Sequence, residues 1–185
     1  MPITERVFNY VDVIKFIIQH TFNINNDYFY ILGEITEQQK ERQKTQDFFI
    51  VLATEEQQPV VTTPEREILR ENEKTYEVFK QKFIQNIKIN VLSYQATKPD
   101  IAYSVANNCR TSLFAELGQQ KNILDQTASI MTVGGIKNLS FLESDAKDQI
   151  QRYQFDVKLY YELKTSIETD IKQATLGSPK YYTCK

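Results

Sequence analysis

The chain predicts an α+β fold, a mainly antiparallel sheet with two amphipathic helices packed on one face, and three observations point there. From Tyr153 to Lys164 the residues alternate, with Tyr153, Phe155, Val157, Leu159, Tyr161 and Leu163 on one side and Gln154, Asp156, Lys158, Tyr160, Glu162 and Lys164 on the other. A strand so written has one dry face and one wet face, whereas a parallel strand covered on both sides reads as a nearly continuous apolar run. A second alternating run sets Phe83, Ile87, Ile89 and Val91 against Lys82, Lys88 and Asn90. Two segments carry apolar residues at helical spacing instead, and these supply the cover that the dry face needs.

Taken in order, Thr4 is a candidate N-cap for a first helix in which Val7, Val11, Ile14 and Ile18 recur on one stripe, ending near His20. The cluster Asn23, Asn25, Asn26 and Asp27 predicts a turn, and Tyr28 to Leu32 a strand stopped by Gly33. Glu37 to Asp47 holds almost only polar and charged residues and predicts a solvated loop. Phe48 to Ala53 is an apolar run of strand length. Pro59 and Pro64 mark 54–66 as a loop, and the charged stretch Glu67 to Lys80 is read as extended, leading into the long strand that ends near Tyr94.

Pro99 opens a second helix, with Ala102, Val105, Ala106, Cys109, Leu113 and Leu117 at spacings of three and four and Gly118 at its end. A short helical turn is expected at Asn122 to Asp125. Ser129 to Leu142 then reads as a strand broken or bulged at Gly134 and Gly135. Asp145 to Asp148 turns the chain into the last strand, so that the final two strands form a hairpin. One domain over residues 1–176 and a tail over 177–185 account for the 185 residues.

The composition is that of an ordinary folded protein, with 41% hydrophobic and 25% charged residues. A formal net charge of -2 supplies no clustered cation for tight nucleic-acid binding. No run reaches the roughly 20 apolar residues that span a bilayer. The mixed-charge start, Met1 to Arg6, is unlike a secretory leader, so a cytoplasmic site of synthesis and no membrane partner are expected. The two cysteines leave three states open: free, paired with each other, or paired between chains.

No motif for catalysis, cofactor or metal binding is legible. His20 is the sole histidine and stands at a helix end, where a cation is favoured. Gly134-Gly135 is not followed by the Lys-Ser or Lys-Thr of a phosphate loop, and reads as a bulge or tight turn. Glu143, Asp145 and Asp148 fit solvated turn chemistry better than a hydrolytic pair. Cys109 lies in an apolar stripe as a small core hydrophobe. Contact candidates are Tyr160, an aromatic on a polar strand face, and Tyr181, Tyr182 and Cys184 in the tail; there the tyrosines could anchor on a neighbour and the thiol cross-link to it.

Four stretches together resemble the phage neck or tail terminator proteins. They are Ile87 to Tyr94, the helix with Ala102, Ala106, Leu113 and Leu117, Ile136 to Ser140, and Gln151 to Val157, so the similarity covers roughly residues 80–170. The resemblance implies a non-enzymatic virion protein, without cofactor, assembled in the host cytoplasm into a ring that is sixfold in related terminators. Its implied partners are copies of itself, the tail tube, a sheath if present, and the head-tail connector. DNA would pass through the lumen without sequence-specific binding. Another tail-completion or connector ring subunit, or a small ligand-binding or enzymatic α+β domain, are the alternatives.

Overall fold

The computed structural model describes residues 10–55, 57–71, 74–94, 100–123, 126–140 and 150–168. Its centre is a pair of long antiparallel strands, β5 (Lys74–Ser93) and β9 (Gln151–Glu168), in unbroken register from Tyr76↔Glu168 to Ser93↔Gln151. These contain the two alternating runs, and the pleat places them as their spacing requires. Ile87, Ile89, Val91, Phe155, Val157 and Leu159 are fully buried, and Tyr161 nearly so. Their burial contributes roughly 1.5 to 3 kcal/mol each in gross terms.

Around this pair the sheet is ordered β1-β2-β5-β9-β7-β6, with β1 at Phe29–Ile31, β2 at Phe49–Thr54, β6 at Gln120–Ile123 and β7 at Gln126–Val133. Two short strands and one longer one fill in along the central pair: β3 (Gln58–Pro59) and β4 (Glu65–Glu71) on β5, and β8 (Lys137–Asn138) on β9. The helices α1 (Tyr10–Phe22) and α3 (Ile101–Ala115) lie on the dry face. Val13, Ile14, Ile17 and Ile18 of α1 and Ala102, Ala106, Cys109 and Leu113 of α3 share one buried cluster with the odd-numbered residues of β5 and β9. The expected α+β architecture with two covering helices is therefore the one observed.

Several local expectations change. Residues 37–45 are not a loop but a third helix, α2 (Glu37–Thr45). It is polar all round, and a capping box starts it: the Gln39 backbone N–H donates to Thr36 Oγ1 and the Thr36 N–H to Gln39 Oε1. Ion pairs Glu37–Lys40 and Glu41–Lys44 brace its surface. Because α2 carries the chain back across the sheet, β1 and β2 pair in parallel, the one parallel pair of strands among the described residues.

A second correction follows at the same edge, since the open face is not wet throughout. Tyr30, Phe49 and Val51 form a small buried cluster there with Ile35, Leu92 and Tyr94 packed against it. The Tyr30 hydroxyl donates to Gln46 Oε1 at 2.8 Å, and Gln46 Nε2 donates to the Asp27 carbonyl, which ties the end of α2 to this cluster.

The stretch from Glu67 to Lys80 is extended in its described residues, as expected, but as parts of two strands rather than one, and β4 starts at Glu65, inside the expected loop, pairing back on β5 from Glu65↔Lys80 to Glu71↔Lys74. The loop expected at 54–66 contains β3. Asn122 and Ile123 belong to strand β6 and not to a helical turn. The helix α3 ends at Ala115, so Leu117 lies beyond it, bridged to Ile130, and Gly118 takes its positive φ of +75° while its N–H donates to the Ile130 carbonyl.

The strand break at Gly134-Gly135 is observed between β7 and β8, and β7 also carries a bulge at Met131 that leaves this side chain exposed. Thr4, Val7 and Pro99 lie outside the described residues.

Candidate assembly surface

The open face of the central pair is built from the even-numbered residues of β5 and β9 together with β4 and β7. Its charges come in neighbouring opposite pairs because cross-strand partners on one face stand close together. Lys82 pairs with Glu65 at 3.0 Å, Lys88 with Glu55 at 2.5 Å and Lys137 with Asp156 at 3.5 Å, while Lys80 contacts Glu67. At the far end Lys74 meets Glu168 at 2.9 Å.

The hydrogen bonds from Lys88, and then from Asn86, hold the Glu55 carboxyl below its ordinary range, and Glu55 in turn holds the Lys88 ammonium above its own. Glu65, Glu67 and Glu168 raise Lys82, Lys80 and Lys74 in the same way. Each of these pairs is at least partly exposed to solvent, so each contributes little to stability and the lattice chiefly cancels field. Between Glu55, Lys88, Thr132, Gly134, Asp156 and Lys158 lies a shallow depression of about 250 Å³.

Tyr160 stands on this face as the alternation requires, half-buried, opposite Ile84 of β5 and Ser129 of β7. Tyr181, Tyr182 and Cys184 lie outside the described residues, as do Glu143, Asp145 and Asp148. His20 is exposed in the last turn of α1 and stacks on Phe16, with ring centroids 5.9 Å apart. Cys109 is fully buried as a free thiol, and burial pushes its pKa up to about 12.

Both backbone polar groups of Gly134 are engaged within the chain. Its N–H donates to the Asp156 carbonyl at 2.7 Å and its own carbonyl accepts from Arg110 Nε at 2.7 Å, binding α3 to the sheet. Among the described residues no group of three or more His, Cys, Asp or Glu side chains is placed to hold a metal ion. No helix among them is long and apolar enough to cross a membrane.

The sequence did not reveal the sheet beyond the helices. From residue 80 outward the strands beside β5 among the described residues are β4 and the end of β9, a three-stranded arm roughly 20 Å long at about 3.3 Å per residue. The face that α1 and α3 cover farther in continues onto it. Phe83 and Tyr161 stack at 5.7 Å, Leu163 and Phe79 follow half-buried, and then come Ile68, 54% exposed, and Ile167, 51% exposed. No residue of β4 is buried. The signal for this was present in Glu65 to Glu71, where Ile68 and Leu69 interrupt a charged strand.

No family model matches the chain. No curated protein matches it either. Among solved structures the chain is similar to the sheath/tube terminator of an extracellular contractile injection system, PVC, in its extended state. The two are 13% identical with a TM-score of 0.47, and the match covers 96% of this chain and 64% of that one. The chain therefore spans just under two thirds of that protein's length.

Proposed function

We propose that this chain is a structural subunit of a phage neck, a tail terminator whose copies close into a ring that caps the tail tube and joins it to the head connector. It works by assembly and not by catalysis. The sequence stretches that resemble the family, from Ile87 to Val157, form the paired central strands and the β8–β9 ladder of one sheet, with the helix α3 that covers it.

The single observation that carries the reading is the arm. A sheet face that runs past its helices with Ile68 and Ile167 half exposed on either side of the Arg66–Glu77 ion pair is what a subunit finished by its neighbours displays. The charge-paired open face is compatible with the same role, because a formal charge of -2 with each lysine of the lattice matched leaves no strongly basic wall to hold passing DNA.

Removing the gene from the phage that encodes it is expected to leave separate heads and tails, with tails of irregular length by negative-stain imaging. Charge reversals at Glu55 and Lys88 on the open face are expected to leave folding intact and to lower the yield of joined particles. Tails of uniform length joined to heads in the absence of the gene would overturn the reading.

A further inference from the structure

Two charged side chains on the open face stand outside its lattice of ion pairs. Lys74, Lys80, Lys82, Lys88, Lys137 and Lys164 each meet a carboxylate there. Arg152 is held by Asn90 Oδ1 at 3.2 Å. Among the described residues of β4, β5, β8 and β9 on this face, that leaves Glu71 and Lys158.

One is an acid and the other a base, and the strand register keeps them apart. Glu71 stands opposite Lys74, and Lys158 stands opposite Asn86 farther along the same strand. At about 3.3 Å per residue the two rows are about 40 Å apart, so neither side chain can serve the other within one chain.

The surroundings of Lys158 suit a carboxylate. It lines the depression of about 250 Å³, whose own carboxylates are already matched, Glu55 by Lys88 and Asp156 by Lys137. Lys158 therefore leaves that hollow with one positive charge in excess. Its cross-strand neighbour Thr132 adds a hydroxyl that makes no hydrogen bond within the chain. An ammonium and a hydroxyl side by side are donors that one carboxylate can satisfy together.

Glu71 is placed to reach such a hollow on another copy. It is exposed at the end of the arm, and Leu69, two residues away on the same face, is 38% exposed. An exposed ion pair alone adds little affinity, so the carboxylate fixes the register while Leu69 supplies apolar contact.

The charges also select the direction of the contact. If two arms lay reciprocally along each other, the two-fold axis would pass midway between Glu71 and Lys158, which is Lys80 on β5. That arrangement sets the Lys80 ammonium against its own copy, and like charges directly opposite are destabilising.

We infer that Glu71 of one copy enters the depression beside Lys158 of the next, as a contact between subunits. Such a contact is heterologous and propagates into a ring or a filament. Closure into a ring rests on the function proposed above.

The test compares full-length Glu71→Lys, Lys158→Glu and the double exchange by sedimentation, with melting temperatures measured alongside. Both positions are exposed, so each variant is expected to keep the wild-type melting temperature. Each single reversal is expected to lose the multimer, and the double exchange to recover it. In parallel, Glu71→Cys and Lys158→Cys, each in a Cys184→Ser background, are mixed under mild oxidation. A disulfide-linked dimer in the mixture and in neither variant alone is the expected result.

Multimers that withstand both single reversals, a double exchange that fails to recover them, or a mixture without the cross-link would overturn this contact and leave the ring reading standing. A species that stops at two chains would mark a reciprocal contact and overturn the inference and the ring together. A wild-type protein that stays monomeric would also overturn both.

Discussion

Cys109 and Tyr161 sit in the main core, and burial pushes each pKa up to about 12 from ordinary values of 9.0 and 10.0. For an acid whose folded pKa is raised, the unfolded chain loses its proton first. Stability is therefore intact below the unfolded pKa and falls as pH rises from there toward the folded one. Urea unfolding followed across pH is expected to show stability declining from about pH 9, with each group adding a slope of about 1.4 kcal/mol per pH unit. Cys109→Ala should remove the portion that begins near pH 9, and an unchanged profile in that variant would count against the burial assigned to the thiol.

Gly134 offers a second residue-scale prediction, since a Cβ there would stand 3.2 Å from the Asp156 carbonyl oxygen. Gly134→Ala should destabilise by about 1 to 3 kcal/mol in chemical denaturation, the usual penalty for an overpacked contact. The core position of Cys109 was legible because a helical stripe reports burial directly. The role of Gly134 was not, because close approach of two backbones depends on a partner more than twenty residues away in sequence.

Among the elements, β9, the inner half of β5 and α3 were legible, because burial on one face writes a period of two or of 3.6 into the sequence. The helix α2 wrote neither. With all but Gln43 and Gln46 in this segment half-buried or exposed, its residues carry no apolar stripe, and such polarity reads as a loop. Its real signature is local, Thr36 followed three residues later by Gln39. Thr36→Ala should therefore lower stability by about 1 kcal/mol, and urea unfolding monitored by circular dichroism checks it. Missing α2 also concealed the parallel β1–β2 pair, since parallel neighbours need a crossover to connect them. The strand β4 was obscured for another reason: a ribbon exposed on both faces has no dry side to create a period.

At the scale of the whole molecule, one face of the sheet is finished by its own helices over the inner part, while along the arm no helix covers it among the described residues. The ion pairs on the open face are exposed, so added salt should weaken contacts between copies more than it weakens the fold, whose core is apolar. What the chain lacks alone, a second copy can supply. The mass of the purified full-length protein in solution, measured by sedimentation over a range of concentrations, tests that claim most directly. The account predicts a closed species of six times the 21.7 kDa chain mass, lost in Ile68→Asp. A 21.7 kDa monomer at every concentration would contradict it.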